Sequence, residues 1–450
     1  MKRVIAAIAA LGAAAALPAY GAGADWNSLL RQGLDAAQRE MQRRPPQKPT
    51  APQPNSLPAA PRSTEPPPAA RAKDSPPAAP EASAQPAAAS GVPLPLRRIP
   101  LIAGAMGVNL LVEADGTVQS WGAPQGDGTY LGDGTEGSRK EPAPIPGLHD
   151  IVDAAVAAGH ALVLARDGTV LTWGRNRSCE LTVTDDHKRP TPFPVKGVRN
   201  AVQVAAGHLF SAAVLRDGTV MVWGTNEGGL LANGKSGWGQ PCAIAPLFVE
   251  GLSGVKKLVV GSNSVIVLKQ DGTVWGWGPN RNGELCDGTT EKRNRPVQMK
   301  GIANAVDIDL DTDSTIVLAD GSVWSCGLNT HAELACKPEP ESVKHAAPVR
   351  IEGIRDAVAA RSNMVRLKDG TLRGWGSGIF GALGNGKIEG TFPKPTAPIG
   401  LGPVIEHYWA SNSAYAIKAD GTVMAWAFYI GGPKEWQLTP VAWRKVQLAE

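Results

Sequence analysis

Short apolar runs separated by polar turn residues follow one another from about residue 99 to the end of the chain. In one typical stretch, Leu162-Val163-Leu164 precedes the pair Asp167-Gly168, and Val170-Leu171-Thr172-Trp173 follows it. Apolar runs of this length on either side of a turn signal predict two antiparallel strands. Because Asp-Gly can supply the two positive-φ residues of a type I′ turn, we expect a tight hairpin at this point.

The residues that flank this hairpin predict two more strands. Residues 151 to 158 are small and apolar, which suits a crowded inner strand. Residues 192 to 195 contain prolines, which suit an outer edge because a proline there removes no ladder hydrogen bond. One unit therefore predicts a sheet of four antiparallel strands.

The hairpin signature, Asp-Gly followed six residues later by Trp-Gly or a close variant, occurs seven times. The copies begin at Asp115, Asp167, Asp217, Asp271, Asp320, Asp369 and Asp420. The steps between them are 52, 50, 54, 49, 49 and 51 residues. A four-stranded sheet of this kind cannot bury both of its faces alone. The sequence therefore predicts an all-β fold, a seven-bladed β-propeller of four-stranded antiparallel blades over residues 99–450.

One large aromatic side chain recurs in six of the seven units. These residues are Trp121, Trp173, Trp223, Trp277, Trp375 and Trp426. A ring at the same position in every blade is predicted to be structural and to pack against the neighbouring blade. Cys326 replaces it in the fifth unit and leaves a smaller side chain there.

The units resemble the repeats of the regulator of chromosome condensation family. In the fourth unit the residues that carry this resemblance are Gly261, Leu268, Asp271-Gly272-Thr273-Val274, Trp277-Gly278, Asn280, Gly283-Glu284-Leu285 and Gly288. The second unit keeps Ala157-Ala158-Gly159-His160, but Cys179 replaces the glycine before Glu180-Leu181. The resemblance covers residues 99–450. It implies a seven-bladed propeller and a protein-interaction platform.

The N-terminal quarter of the chain has a different composition. Residues 1–24 combine Lys2-Arg3, an apolar run from Val4 to Leu17 and the small-residue site Ala22-Gly23-Ala24, which predicts a secretory signal of bacterial type. An uncleaved membrane anchor is the alternative. Residues 25–44 have near-helical apolar spacing and predict a short amphipathic helix. Residues 45–98, rich in Pro and Ala, predict a disordered linker or an extended spacer.

The charge of the chain argues against a nucleic-acid partner. The formal net charge of +4 is the sum of +6 in residues 1–98 and −2 in residues 99–450, which hold 33 Lys or Arg against 35 Asp or Glu. A basic face on the predicted propeller is therefore not indicated.

The sequence shows no pattern typical of a catalytic, metal or cofactor site. The seven histidines form no H-E-x-x-H pair, and G-x-S-x-G does not occur. The five cysteines have no metal-ligand spacing, so after export pairs with one free thiol are expected. Cys326 and Cys336 lie in one unit and are the nearest pair in sequence, but the connectivity stays open. We expect no cofactor and no metal.

One segment matches a nucleotide-binding motif in sequence, but its surroundings differ from those of a nucleotide site. The segment Gly229–Ser236 matches the phosphate-binding P-loop expression. That loop needs a following helix whose N-terminus holds the phosphate. Here Gly237, Gly239 and Pro241 follow, and the segment occupies a turn of the repeat. We therefore expect no nucleotide to bind.

Two sets of residues are candidates for partner binding. Trp238 and Trp436 lie outside the repeated position, and tryptophan is a preferred anchor at interfaces. Asp307, Asp309, Asp311 and Asp313 alternate along one predicted strand, so their carboxylates would stand in a row. Such a row suggests a cation, a basic partner or simply a solvated channel.

The sequence favours a binding protein over an enzyme. The first hypothesis is an exported scaffold or inhibitor-like propeller, periplasmic or secreted, that captures an unidentified partner protein through loops on one face. The second is a hydrolase or lyase that acts on an envelope polymer with channel carboxylates. The third is a structural spacer. A membrane is involved only if the signal is uncleaved.

Overall fold

The structure is a computed structural model. It describes residues 94–95, 97–105, 107–123, 131–135, 137–185, 187–237, 241–261, 264–340, 343–378, 381–387, 390–410, 413–427 and 437–449. The predicted signal, the predicted helix and residues 45–93 of the predicted linker lie outside these residues. Within the described part of the chain, no helix has the length and apolarity needed to cross a membrane.

Twenty-eight described strands form seven four-stranded antiparallel sheets, each built from four strands that are consecutive in the chain. The inner strands are β1 (Leu101–Ala105), β5 (Ile151–Val156), β9 (Ala201–Gly207), β13 (Val255–Val260), β17 (Ala305–Leu310), β21 (Ala357–Arg361) and β25 (Glu406–Ala410). The second strands are β2 (Val108–Val112), β6 (His160–Ala165), β10 (Phe210–Leu215), β14 (Val265–Lys269), β18 (Ser314–Leu318), β22 (Met364–Leu367) and β26 (Ser413–Ile417).

The third strand and the outer strand of each sheet are given in the same blade order. The third strands are β3 (Val118–Gly122), β7 (Val170–Gly174), β11 (Val220–Gly224), β15 (Val274–Gly278), β19 (Val323–Leu328), β23 (Leu372–Ser377) and β27 (Thr422–Trp426). The outer strands are β4 (Arg139–Pro144), β8 (Arg189–Pro194), β12 (Ala243–Phe248), β16 (Arg293–Gln298), β20 (Lys344–Arg350), β24 (Thr391–Thr396) and β28 (Val441–Lys445). The predicted seven-bladed β-propeller is confirmed, and we number the blades 1 to 7.

The hairpin turns differ from the predicted type I′ geometry. In blade 2 the Gly168 N–H donates to the Ala165 carbonyl (2.9 Å), and within Asp167-Gly168 only the glycine has a positive φ, 85°. Asp167 accepts the Thr169 N–H at Oδ1 (2.8 Å). The prediction was therefore wrong in turn type: the loop is a type I turn closed by a left-handed glycine. A Cβ at residue 168 would also lie 2.8 Å from the Cα of Asn200.

The outer strands share a proline, as the sequence predicted for one of them. In six blades the proline stands at the same place in the strand: Pro142, Pro192, Pro246, Pro296, Pro348 and Pro395. The residue after it pairs with the residue that precedes the repeated Trp, or in blade 5 Cys326. A proline cannot donate a hydrogen bond to an added strand. The rim of the propeller is therefore protected against edge-to-edge pairing in these blades.

The core lies between the blades. The repeated tryptophans are buried, five of them completely and Trp121 at 6% exposure. Four of them donate the indole N–H to a carbonyl in the preceding blade: Trp223 to Glu180, Trp277 to Leu230, Trp375 to Glu333 and Trp426 to Ala382. These four tryptophans therefore join two blades by both packing and a hydrogen bond.

The ring closes between blades 7 and 1 without exchanging a strand. Tyr408 donates its hydroxyl to the Pro100 carbonyl (2.8 Å), and the Ala449 N–H donates to the Arg98 carbonyl (3.0 Å). Trp443 of β28 packs on Trp121 of blade 1, with ring centroids 5.2 Å apart. The two ends of the propeller therefore meet side by side.

Candidate functional site: the central channel

The seven inner strands surround a channel that contains an open cavity of about 600 Å³. One residue on each inner strand pairs with the residue three positions before the Asp of its Asp-Gly turn. We call this set the channel ring: Leu101, Asp153, Gln203, Lys257, Asp307, Ala359 and Glu406. Five of its members, those of blades 1 to 5, line the cavity.

Polar members of the channel ring bond to the backbone of the next blade. Asp153 accepts the Val204 N–H (3.0 Å), and Gln203 both accepts the Leu258 N–H (2.9 Å) and donates to its carbonyl (2.8 Å). In the same way Lys257 donates to the Ile308 carbonyl (2.7 Å) and Asp307 accepts the Ala360 N–H (2.9 Å). The same contact is thus repeated from blade 2 to blade 6, so the ring residues join the inner strands.

Ala359 lacks a polar side chain, and an ionic chain runs past this gap. The Lys257 ammonium lies 2.5 Å from Asp307 Oδ1, and Arg361 lies 3.3 Å from Asp307 Oδ2. Arg361 also lies 3.8 Å from Glu406 of blade 7. Charges of alternating sign therefore connect blades 4, 5, 6 and 7. Since all four side chains are only partly exposed, solvent screens them less than surface pairs.

The two channel aspartates have opposite electrostatic environments. Burial favours the protonated form of Asp307, but Lys257 and Arg361 outweigh burial and hold its pKa below the ordinary value. Burial raises the pKa of Asp309, and the two cations and the Ser362 N–H that it accepts offset this only in part. Asp307 is thus a stable carboxylate inside an ionic chain, and Asp309 is the more easily protonated neighbour.

The predicted row of four aspartates is shorter in the structure. Asp307 and Asp309 lie on β17, but the strand ends at Leu310, and Asp311 is exposed beyond it. Asp313 is buried and accepts the Leu328 N–H (2.6 Å), and burial raises its pKa to about 7. The first two carboxylates share the channel, and the last two do not.

Sequence reasoning missed Lys257, Arg361 and Glu406. A signal was present for two of them, because Lys257 precedes Asp271 by the same 14 residues that separate Asp153 from Asp167 and Glu406 from Asp420. The same spacing holds for five of the seven ring members, whereas Asp307 and Ala359 lie 13 and 10 residues before Asp320 and Asp369. The other predicted binding residues, Trp238 and Trp436, lie outside the described residues.

Both disulfides join neighbouring blades. Cys286 of blade 4 is bonded to Cys326 of blade 5, and Cys179 of blade 2 is bonded to Cys242 at the start of the outer strand of blade 3. Cys336, the nearest cysteine to Cys326 in sequence, is free and exposed. Two covalent links thus reinforce the ring.

Cys179 occupies a place where the chain normally needs glycine. It has a φ of 64° and stands where blades 3 and 4 have Gly229 and Gly283. A Cβ at Gly229 would lie 2.8 Å from the Cα of Asn294 in the next blade, and one at Gly283 equally close to the Cα of Ala346. The disulfide therefore uses the same close approach between blades that elsewhere requires glycine.

The loops between third and outer strands are held by one buried asparagine each in blades 2 to 5. These residues, each at most 4% exposed, are Asn176, Asn226, Asn280 and Asn329. Each accepts the N–H of a leucine five residues later: Leu181 (3.1 Å), Leu231 (3.1 Å), Leu285 (3.0 Å) and Leu334 (3.1 Å). We call the face that carries these loops the asparagine face and the opposite one the Asp-Gly face.

The segment that matches the P-loop expression is one of these loops. A short 3-10 turn at Glu227–Gly229 opens it, and the next described element is strand β12 rather than a helix. The Lys235 carbonyl accepts a hydrogen bond from Asn226 (3.3 Å) as part of the loop framework. The segment thus lacks the strand-loop-helix setting of a phosphate site.

The described residues before the propeller lie against its Asp-Gly face. The Leu94 N–H donates to the Arg166 carbonyl (2.7 Å), and Arg166 donates its Nε to the Leu94 carbonyl (2.8 Å) beside the turn of blade 2. Arg97 lines the channel cavity, and its charge partly offsets the burial that raises the pKa of Asp153. The chain therefore crosses this mouth of the channel before it enters blade 1.

Comparison with known proteins supports the architecture. The family model described as "Regulator of chromosome condensation (RCC1) repeat" matches residues 167–214 and 271–318, and a second model of the same description matches 201–229 and 255–284. The crystal structure of Prp20p from Saccharomyces cerevisiae is similar with a TM-score of 0.61 at 18% identity, over 77% of this chain and 87% of that one. Human WBSCR16 gives 0.59 at 20% identity, over 70% and 86%. At such identities the likeness concerns the fold.

Curated relatives include the ultraviolet-B receptor UVR8 of Arabidopsis thaliana, 26% identical over 282 residues, which cover 60% of this chain and 51% of the receptor. The human E3 ubiquitin-protein ligase HERC2 is 30% identical over 234 residues, 50% of this chain. The chain spans about half the length of the receptor and 5% of the ligase. One of these relatives is thus a receptor and the other a ubiquitin-protein ligase.

Proposed function

Because this chain belongs to the regulator of chromosome condensation (RCC1) repeat family, we propose that it is an exported scaffold that binds a partner protein. Prp20p of Saccharomyces cerevisiae binds Gsp1p and histones, and yeast RCC1 (Prp20) has been crystallised with Kap60 bound. Those partners are properties of those proteins. What this chain takes from the comparison is the class of function, a propeller that recognises another protein.

The observation that carries the proposal is the pairing of a fixed frame with varied loops on the asparagine face. The same asparagine-to-leucine hydrogen bond holds four consecutive loops. The residue after each asparagine nevertheless changes: Arg177, Glu227, Arg281 and Thr330, of which the first three are exposed. A rigid scaffold that presents loops of different charge is typical of a protein-binding surface.

The opposite face supports the same assignment. Leu94 and Arg97 occupy part of the Asp-Gly face and of the channel mouth on that side. Within the described part of the chain, neither residue is hydrogen-bonded to a loop of the asparagine face, and Trp409, 38% exposed, lines the channel. We therefore propose that the partner binds the asparagine face.

The hydrolase or lyase alternative loses its main support. It requires carboxylates in the channel that are available to a substrate. Asp307 is instead bonded to Lys257, Arg361 and the Ala360 N–H, and Asp309 accepts the Ser362 N–H. These carboxylates hold neighbouring blades together, so binding is favoured over catalysis.

Export to the periplasm or the medium is part of the proposal. It is supported by the predicted signal in residues 1–24 and by two disulfides between blades, which persist in oxidising compartments. Intact-mass measurement of protein recovered outside the cytoplasm is expected to show a chain that begins at Asp25. A retained Met1 would favour the membrane-anchored alternative.

The binding proposal is tested by affinity capture of envelope proteins on the full mature chain and on two charge variants. Arg177→Glu/Glu227→Lys/Arg281→Glu alters the asparagine face, and Lys196→Glu/Arg199→Glu alters exposed positions on the Asp-Gly face as a control. A partner recovered by the native chain and the control, but not by the first variant, supports the proposal. Equal recovery by all three contradicts the choice of face, and recovery by none contradicts the function.

A further inference from the structure

Strand β12, the outer strand of blade 3, differs from the other outer strands of the propeller. Its sequence, Ala-Ile-Ala-Pro-Leu-Phe, contains no charged residue. Each of the other six described outer strands contains at least one Lys or Arg. Outer strands are exposed at the rim, where charged side chains discourage association with another chain. Blade 3 therefore lacks a protection that every other blade keeps.

The ionic clip that begins the outer strand in several blades is absent in blade 3, and blade 6, with Phe392 and Asn385 at the same positions, lacks it too. In blade 4, Arg293 pairs with Asp287 (2.5 Å), in blade 2 Arg189 pairs with Asp185 (2.9 Å), and blade 1 has the pair Arg139 and Asp133. The corresponding residues in blade 3 are Ala243 and Asn233. Both members of the pair are replaced by uncharged residues, so the change affects the contact as a whole.

Large apolar side chains take the place of the missing charges. Eight large hydrophobic residues are exposed in the described part of the chain, and three of them lie on β12: Ile244 at 43%, Leu247 at 38% and Phe248 at 44%. The other outer strands hold none of the remaining five. We call these three residues the rim strip. Leu247 and Phe248 are successive residues of the strand and project to opposite sides of the sheet, so both sides of this edge carry an exposed apolar side chain. Clustered apolar exposure is typical of an interaction surface, whereas scattered exposure is ordinary.

The proline of β12 limits how the rim strip can be used. Pro246 stands in the middle of the strip and has no N–H to offer to an added strand. A partner must therefore pack on the side chains rather than extend the sheet. The Cys179–Cys242 disulfide fixes the start of β12 to blade 2, so the strip is presented on an anchored strand.

We propose that the rim strip is a self-association surface, through which two copies of this chain pack around a two-fold axis. In such a contact each residue faces the same patch on the other copy. The other rims would then bring Lys and Arg against Lys and Arg, whereas β12 brings together only uncharged side chains. The surface is additional to the proposed partner-binding face.

The charges that flank the strip fit the same arrangement. Glu250 follows β12, and Arg295 of blade 4 lies 3.1 Å from it, with the two side chains 75% and 55% exposed. Because the two charges are opposite, Glu250 of one copy can pair with Arg295 of the other copy as well as with the Arg295 of its own chain. Three side chains make a small core compared with the ~800 Å² per partner of a standard interface, so we expect a weak dimer that forms only as the protein concentration rises.

The test is sedimentation velocity of the full mature chain from about 1 to about 200 µM, a range that brackets a weak interface. The variant Ile244→Asn/Leu247→Thr/Phe248→Gln replaces the three strip residues. The new side chains are those that other outer strands have at the matching positions, Asn294, Thr396 and Gln298. The native chain is expected to dimerise with concentration, and the variant to stay monomeric with an unchanged melting temperature. The control Val349→Thr/Arg350→Gln changes the two matching positions of blade 5 and should dimerise like the native chain.

Three results would overturn the proposal: a native chain that is monomeric at the highest concentration, a triple variant that dimerises normally, or a control that loses the dimer as the triple variant does. If the triple variant does not fold, the single change Phe248→Lys decides instead. It introduces an unpaired positive charge into the apolar strip of each copy and should abolish the dimer. A dimer that persists in Phe248→Lys rejects the strip as its interface.

Discussion

Cys326 is disulfide-bonded to Cys286 of the preceding blade, at the position where each of the other six blades places a tryptophan. In blades 3 and 4 the corresponding tryptophan reaches the same loop of the preceding blade through its indole N–H, 2.9 and 2.8 Å from a carbonyl. The blade 4–5 contact has thus exchanged a large buried ring and a hydrogen bond for a covalent bond.

This exchange predicts that restoring the tryptophan makes the contact insensitive to reductant. The variant is Cys286→Ala/Cys326→Trp. Alanine is chosen because blades 3 and 5 have Ala232 and Ala335 at the position of Cys286. In a Cys179→Gly/Cys242→Ser background, which removes the other disulfide, reductant should destabilise the parent by roughly 2–5 kcal/mol and leave the variant unchanged. Thermal melts with and without dithiothreitol measure the difference. If dithiothreitol leaves the melting temperature of the parent unchanged as well, the Cys286–Cys326 bond adds little stability.

Replacing Asp307 should cost far more than replacing Asp309. Asp307→Asn leaves Lys257 and Arg361 without their shared carboxylate, and we expect a loss of roughly 3–5 kcal/mol in the free energy of unfolding at pH 7. Asp309→Asn keeps an acceptor for the Ser362 N–H and removes a carboxylate whose pKa burial has raised, so its effect should stay within about 1 kcal/mol. Urea denaturation of the matched pair checks this. Equal losses would mean that the ionic chain does not hold the ring.

Asp313 should make the propeller less stable as the pH rises. Burial, with Glu333 and Asp311 nearby, raises its pKa from 3.8 to about 7, and the Leu328 N–H only partly opposes this. Between pH 4 and 7 the unfolded chain therefore releases a proton that the folded chain keeps. The contribution of Asp313 is complete below pH 4 and is lost as the pH passes 7.

The variant Asp313→Asn cannot ionise but can still accept the Leu328 N–H. It should remove on the order of 2–4 kcal/mol of the pH dependence between pH 4 and 8, and it should be more stable than the native chain at pH 8. Urea denaturation at pH 4.5, 6 and 8 measures this. A native-like slope in the variant would assign the pH dependence to other groups.

Deleting residues 438–450 should cause aggregation. The deletion removes β28, so the edge of β27 is exposed, and Trp121 loses the ring of Trp443 at 5.2 Å. An unpaired strand edge beside an uncovered tryptophan is a template for association. Light scattering and size-exclusion chromatography provide the measurement. A soluble monomer with the native melting temperature would show that the tail is dispensable.

The fold was predictable because the sequence signals for turns and strands lie within each repeat. The Asp-Gly turn, the apolar runs around it and the outer proline recur every 49 to 54 residues, so one unit predicts the other six. The predicted turn type was wrong because the Asp167 side chain accepts the Thr169 N–H and the aspartate does not adopt the positive φ that a type I′ turn requires.

The channel was less predictable because its contacts form between units. Lys257, Asp307 and Arg361 are about 50 residues apart and meet only where neighbouring inner strands are brought together. The aspartate row was conspicuous in sequence, but the end of β17 at Leu310 separates its members. For the same reason Cys326 bonds to Cys286, 40 residues away in the preceding blade, rather than to Cys336, 10 residues away in its own.

The closure between blades 7 and 1 has a consequence for engineering the chain. No described blade borrows a strand from the far end of the sequence, and Arg98 and Ala449 are hydrogen-bonded neighbours. The ends could therefore be joined by a short linker and new ends opened between β8 and β9, at the exposed turn near Arg199. Such a circular permutant would contain the same seven intact sheets, and its order of blades along the chain would be a matter of choice.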